Sequence, residues 1–279
     1  MEFLRPTSVQ EAVEALAVRQ GRARILAGGT DLVVRLKDGL ETARSLIGLG
    51  RCVELRGVRE ESGQIVIGAM TTHEELARSM FLRRVAPVLA EAAEEVGSVQ
   101  IRQRGTIGGN VVNASPSADL VPPLHVLGAT VVLVSRAGVR PLGIEEFATG
   151  PKQTRIRPEE LLVELRFPRP REDELQRYFK LGQRRALACA KVSLAFRARS
   201  TAGVLRDVRI ACGAVAPTVV RAREAERALE GTLPTADAIR RACAALARDI
   251  RPIDDVRSTA AWRLAACAEL LRRAVPELV

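Results

Sequence analysis

Two glycine clusters in this sequence are placed and followed in a way that suits phosphate chemistry. Ala27-Gly28-Gly29-Thr30-Asp31-Leu32 comes directly after an apolar strand pattern. Gly105-Thr106-Ile107-Gly108-Gly109-Asn110 leads on to Asn113, Ser115, Ser117 and Asp119. Adjacent glycines let a backbone approach a ligand closely and turn several N–H groups toward one point, so a phosphate can be held without a cationic side chain. The short polar side chains after the second cluster suit ribityl and phosphate oxygens. Neither cluster is a G-x-G-x-x-G following a first strand or a G-x-x-x-x-G-K-[ST], which disfavours a Rossmann site and a P-loop. A single Gly-Gly pair is explained as well by a tight turn. On residue types alone the reading ends at an α+β protein, with a phosphorylated cofactor and a pair of turns both open.

Other side-chain chemistry is sparse. Cys52, Cys189, Cys212, Cys243 and Cys267 are scattered and form no CxxC pair. That spacing excludes a zinc ribbon, a cysteine-ligated iron–sulfur cluster and a disulfide framework. The five cysteines read as buried small hydrophobes in a reducing compartment. His73, beside a helix cap, and His125, within a proline-started helix, are the only histidines and read as structural. The net charge of +10 invites a nucleic-acid reading, but aromatic residues make up only 3%, so stacking platforms are nearly absent. Arginine also serves protein interfaces through bidentate pairing, so docking on an acidic partner fits the same excess. No apolar run is long enough for a membrane span. The first ten residues lack the apolar stretch of a signal peptide. The expectation is a soluble, cytoplasmic protein with no nucleic-acid partner.

The elements that must position the two clusters follow from periodicity and capping. Ser8 opens an amphipathic helix whose face carries Val9, Ala12, Val13 and Leu16, with Ser8 and Glu11 as a capping box. Strands are expected at 23–27, 45–49, 64–67, 130–134 and 161–167. Thr72 and Glu75 form a second capping box, and further helices are expected over 86–96 and 119–127, with Pro122 and Pro123 tolerated in a first turn. The segment 104–119 reads as a long glycine-bearing stretch. A proline-broken charged stretch, Pro168-Arg169-Pro170-Arg171-Glu172-Asp173, divides the chain. Beyond it, strands at 176–181, 191–198 and 204–212 precede helices at 222–229, 236–248 and 258–274. Strands followed by helices predict an α+β domain.

The two clusters in full, Ala27–Leu32 followed by Arg35 and Lys37, and Arg104 through Asp119, closely resemble the FAD-binding (medium) subunit of the molybdenum hydroxylases. That family includes the flavin domain of xanthine dehydrogenase and the medium subunit of aerobic carbon monoxide dehydrogenase. Glu159-Glu160-Leu161-Leu162, Tyr178-Phe179-Lys180 and Ala190-Lys191-Val192 extend the resemblance over nearly the whole chain. It implies a PCMH-type FAD-binding domain over 1–170, with subdomains of about 1–56 and 57–170. A smaller α+β C-terminal domain over 171–279, a three-stranded antiparallel sheet with helices, would cover the flavin side.

The resemblance also implies roles. Ala27, Gly28, Gly29, Thr30, Asp31 and Leu32 would turn backbone N–H groups to the pyrophosphate of FAD. Thr106, Gly108, Gly109 and Asn110 would complete the cradle from the other subdomain, with Ile107, Asn113 and Ser117 also expected at the cofactor. Asp119 matches an acidic ligand for ribose or ribityl hydroxyls, Val112 and Leu162 match apolar residues flanking the isoalloxazine, and Lys180 matches a lysine near the flavin. The loop from Leu181 to Lys191 matches one that lies over a face of the ring, and Arg184-Arg185 within it suits either an anionic acceptor or plain surface. Without the resemblance, a helix cap is an open alternative for Asp119, while Leu162 reads as core and Lys180 as a solvated strand residue. FAD is expected to be held non-covalently, with no catalytic residue and no metal on this chain. The implied partners are a molybdopterin-binding large subunit and a small 2Fe–2S subunit, in a heterotrimer that dimerises. The implied function is oxidoreductase electron transfer from the partner clusters through FAD to a quinone, NAD or oxygen. The rival readings are a stand-alone FAD-dependent oxidoreductase, which would need a base beside the ring, and a non-enzymatic basic binding protein.

Overall fold

In the computed structural model, which describes residues 1–19, 21–184 and 186–275, three sheets each carry helices of their own. The first unit contains β1 (Glu2–Leu4), α1 (Val9–Arg19), β2 (Ala23–Leu26), α2 (Leu32–Lys37) and β3 (Ser45–Gly48). Its strands are parallel in the order β1-β3-β2, with Phe3 opposite Leu46 and Ile25 opposite Ile47. Parallel neighbours need crossovers, and helices supply them. Ala12, Val13 and Leu16 recur at helical spacing and bury against the cluster around Ile47. Ser8 Oγ accepts from the Glu11 N–H at 3.1 Å, but the Glu11 carboxylate accepts from the Thr7 amide, one residue ahead of the expected box.

The second unit opens with β4 (Val58–Glu61) and β5 (Gln64–Gly68). Six short helices follow: α3 (His73–Arg78), α4 (Met80–Val85), α5 (Pro87–Glu94), α6 (Val99–Arg104), α7 (Ile107–Val112) and α8 (Val121–Leu127). Then come β6 (Thr130–Ser135), β7 (Gly138–Gly143), α9 (Ile144–Phe147), the small hairpin β8 (Ala148–Gly150) and β9 (Gln153–Thr154), and β10 (Leu161–Pro168). The sheet is antiparallel in the order β4-β5-β10-β6-β7. Leu165 on central β10 pairs with Ile67 on one side and Val131 on the other, and these join the helices in the largest core. The Thr72 box forms as expected, with Thr72 Oγ1 accepting from the Glu75 N–H and the Glu75 carboxylate from the Thr72 N–H. The second glycine cluster differs from expectation, because most of it is helical. Thr106 caps α7, and Ile107 and Val111 are buried; that burial overrides the poor helix propensity of Gly108 and Gly109.

The third unit comprises β11 (Glu174–Leu181), β12 (Val192–Thr201), β13 (Val204–Gly213), β14 (Val220–Arg221), α10 (Arg223–Leu229), α11 (Ala236–Asp249) and α12 (Ala260–Ala274). A two-residue fourth strand, β14, joins the expected three at the β13 edge. Both faces of this sheet are covered. Val192, Leu194, Phe196 and Ala198 face α10, α11 and α12, whereas Tyr178, Ala195 and Ala211 join the core of the second unit. Alanines on that second face let β12 and β13 approach α8 closely. Polar ties cross the same seam: Gln176 Nε2 donates to the Val85 carbonyl at 3.2 Å, Arg197 Nη1 to that of Val126 at 3.2 Å, and Arg221 pairs with Glu145 at 3.0 Å. No helix among the described residues is long and apolar enough to cross a membrane.

Candidate cofactor site

The strand β2 ends beside β3 and delivers its glycines to the second unit. A Cβ on Gly28 would lie 1.8 Å from the Arg104 carbonyl oxygen, so the two glycine segments meet backbone to backbone. Gly108 is equally confined, 2.8 Å from both the Cβ and the oxygen of Ala69. A side chain at Gly28 would push the first and second units apart, and one at Gly108 would force α7 away from the end of β5 within the second unit.

Where they meet, a cavity opens in two arms. One arm, of about 470 Å³, is lined by Ala27–Leu32, Ile25, His73, Val112, Ile156 and Leu162 among others. The other, of about 770 Å³, is lined by Ser117, Asp119, Cys189, Pro217 and Arg263 among others and reaches the third unit. Asp31, Asn110, Asn113 and Lys152 line both arms and form a polar neck between them.

The hydrogen-bonding capacity of the two segments is unequal. Among the described residues, the backbone N–H groups of Gly28, Gly29, Thr30 and Asp31 have no partner. In the second segment Ile107 donates to the Thr71 carbonyl at 3.0 Å, Gly108 to that of Ala69 at 2.9 Å, and Gly109 to Thr106 Oγ1 at 3.1 Å. The Asn110 N–H donates to the Thr106 carbonyl at 2.9 Å. These amides are therefore already engaged, contrary to their expected part in the cradle: those of Ile107 and Gly108 by the chain after β5, those of Gly109 and Asn110 by Thr106 at the start of α7. What the second segment still offers is Asn110 Oδ1, buried and without a partner among the described residues. Free amides on one side and an orphaned buried acceptor on the other fit an elongated, phosphate-bearing cofactor.

At the far end of the larger arm, Asp119 is buried between units. Its Oδ1 accepts from the Tyr178 hydroxyl at 3.2 Å and its Oδ2 from Lys180 Nζ at 2.8 Å. Lys180 Nζ also donates to the Glu95 carbonyl at 2.8 Å. Burial pushes the Asp119 carboxyl up to about 6, although the Lys180 ammonium draws it down. Lys180 thus stands behind Asp119, outside the lining of either arm, and Ile107 is fully buried in the core. Leu162 and Val112 lie in the first arm, whereas Ser117 and Asp119 lie in the second.

Three features were not expected from the sequence. Lys152 reaches the neck from the β8–β9 turn, and only tertiary folding brings it there; the Gly150-Pro151 pair signals a turn but not its neighbour. Cys189, read as buried, is exposed and lines the second arm with Leu187, Ala188 and Ala190. Of the Arg184-Arg185 pair expected in that loop, Arg185 lies outside the described residues. His73 lines the first arm beneath Gly105, where burial pushes its imidazole down to about 4.

Fold and cavity together describe an α+β protein with room for a two-part cofactor held at a polar waist. Residues 1–170 match the family model for the FAD binding domain in molybdopterin dehydrogenase, and residues 177–278 that for the CO dehydrogenase flavoprotein C-terminal domain. The chain is similar to the carbon monoxide dehydrogenase medium chain of Hydrogenophaga pseudoflava, 33% identical over 98% of this chain and 95% of that one. It is also similar to the xanthine dehydrogenase FAD-binding subunit of Escherichia coli O157:H7, 29% identical over 99% and 95%. A solved structure of the Hydrogenophaga pseudoflava carbon monoxide dehydrogenase superposes with a TM-score of 0.95 at 34% identity, covering 98% of this chain and 95% of that one. The chain belongs to the FAD-binding subunits of the molybdenum hydroxylases, a family of oxidoreductase components.

Proposed function

We propose that this chain holds FAD non-covalently in the two-armed cavity. In this reading it carries electrons from the clusters of a small 2Fe–2S subunit to an external acceptor, a quinone, NAD or oxygen. A molybdopterin-binding large subunit would select and oxidise the organic substrate, in a heterotrimer that dimerises. The observation that carries this reading is that the cavity is lined by the unpaired amides of Gly28–Asp31 from the first unit and by Asn110, whose Oδ1 is orphaned, from the second. Bound FAD supplies the ability to accept electrons singly and release them in pairs.

The chain's own residues bind and orient. The Gly28–Asp31 amides would take the pyrophosphate, and from the second unit the amide N–H of the Asn110 side chain would donate to it while Asn110 Oδ1 accepts from a cofactor hydroxyl. Asp119, braced by Tyr178 and Lys180, would accept from ribityl hydroxyls and set the depth of the ring. With the ring in the arm of Asp119, Leu162 and Val112 flank the adenine instead, since both stand in the opposite arm. The third unit closes the ring's arm through 187–190 and limits water there. No acid or base on this chain is required.

The test is purification from the native operon context, with absorption spectra before and after acid precipitation. Yellow FAD released into the supernatant, with a cluster-bearing partner in the same peak, is the expected result. A colourless, partnerless chain that does not take up added FAD would refute the reading, and flavin retained in the acid pellet would refute the non-covalent part.

A further inference from the structure

The neck between the arms carries one cation that neither glycine segment supplies. Among the described residues, Arg24, Arg35 and Arg157 line the first arm and Arg251, Arg257 and Arg263 the second, but Lys152 alone of the cations lines both. Arg24 and Arg35 are turned to Glu41. Lys152 Nζ instead donates to Asn113 Oδ1 at 2.6 Å and lies 3.4 Å from Asp31 Oδ1. The group that joins the two halves of a dinucleotide is its pyrophosphate, so a cation common to both arms stands at the level of the phosphates.

The backbone of Lys152 points the same way. Its φ of 61° lies in the left-handed region, which favours glycine or asparagine and strains a lysine. Its N–H donates to the Ala114 carbonyl at 2.9 Å, which ties the hairpin turn to the segment after α7. A long charged side chain at a strained position, aimed at a cavity neck, is what a ligand contact would account for. Asp31 adds a difficulty that Lys152 resolves: a carboxylate beside the Gly28–Asp31 amides would repel the two negative charges of a pyrophosphate unless a cation offset it.

We infer that Lys152 is a cofactor-positioning residue that offsets Asp31 and holds the FAD pyrophosphate by charge, in addition to the amides of the first glycine segment. The inference rests on the cavity being the FAD site. Arginine or lysine contacts to phosphate are charge-assisted and among the stronger hydrogen bonds. Half-exposed as it is, Lys152 should make binding sensitive to ionic strength.

Lys152→Gly is the informative variant, because glycine relieves the left-handed backbone while removing the ammonium. The thermal midpoint of the full apo chain should hold or rise. FAD titrated into that chain, followed by flavin fluorescence, should bind about tenfold more weakly than to the parent. The slope of affinity against salt should also flatten, and Lys152→Arg should keep most of the affinity. Asn110→Ala tests the site itself, since it removes an orphaned acceptor without disturbing the apo fold. Weakened binding in Asn110→Ala beside parent-like affinity in Lys152→Gly would overturn the role of Lys152 and leave the site standing. Parent-like affinity in both would show that FAD binds elsewhere, and the inference would fall with the site. A loss in Lys152→Gly that does not change with salt would overturn the charge assignment.

Discussion

His73 and His125 are both buried with an Nδ1 that has no partner among the described residues. Burial pushes each imidazole from 6.5 down to about 4. Between those values the unfolded chain binds protons that the folded chain refuses, so each histidine withdraws stability as pH falls through that window. Asp119 acts in the opposite direction. Its carboxyl rises from 3.8 to about 6, so between those values the folded state keeps a proton the unfolded state has lost, and its contribution declines as pH rises. Two histidines outweigh one carboxyl, and the thermal midpoint of the apo chain should fall between pH 6.5 and pH 4. His125→Leu, remote from the cavity lining, should remove about half of the histidine part of that fall, on the order of 3 kcal/mol at most. Melting curves at stepped pH on parent and variant decide it; identical slopes would mean His125 does not titrate as its burial implies.

The glycines of the two segments do different work although they look alike in sequence. Gly28 and Gly108 are points of contact, one against the Arg104 carbonyl and the other against Ala69. Gly109 is exposed on α7, and a Cβ there would meet only Thr106 Oγ1, at 3.1 Å. Gly28→Ala should therefore destabilise the chain by about 3 kcal/mol and weaken FAD binding, because the two units must separate to admit the methyl group. Gly109→Ala should stay within about 1 kcal/mol of the parent, since gained helix propensity offsets mild crowding. Urea unfolding of the two variants separates them. Equal losses would show that the close approach at Gly28 is not what confines it.

At the scale of the whole molecule, the cavity depends on how the third sheet seats on the second unit. Tyr178 and Lys180 on β11 reach Asp119 only because Ala195 and Ala211 let that sheet lie close to α8. Ala195 is fully buried there. Ala195→Leu should cost about 1–3 kcal/mol by overpacking the seam. It should also loosen FAD by shifting the Asp119 brace, although no residue of the cavity lining has changed. Calorimetry should then resolve two transitions where the parent shows one. A single transition with unaltered FAD affinity would show that the seam tolerates the larger side chain.

Most regular elements were legible in the chain because their signals are local. α1 and α3 carry caps and apolar spacing, and β5, β6, β10, β12 and β13 carry runs or alternation whose burial follows from period alone. The two glycine segments were legible as a phosphate-suited pair, and the resemblance they carry named the family. The helical state of α7 was not legible, because burial of Ile107 and Val111 in the core of the second unit outweighs the glycines beside them. Which amides remain unpaired, which arm holds Leu162, and the arrival of Lys152 at the neck were decided by tertiary structure alone. Local propensity acts between residues a few positions apart, whereas this site is assembled from Asp31, Asn110, Asn113 and Lys152, whose proximity exists only once the first and second units have packed.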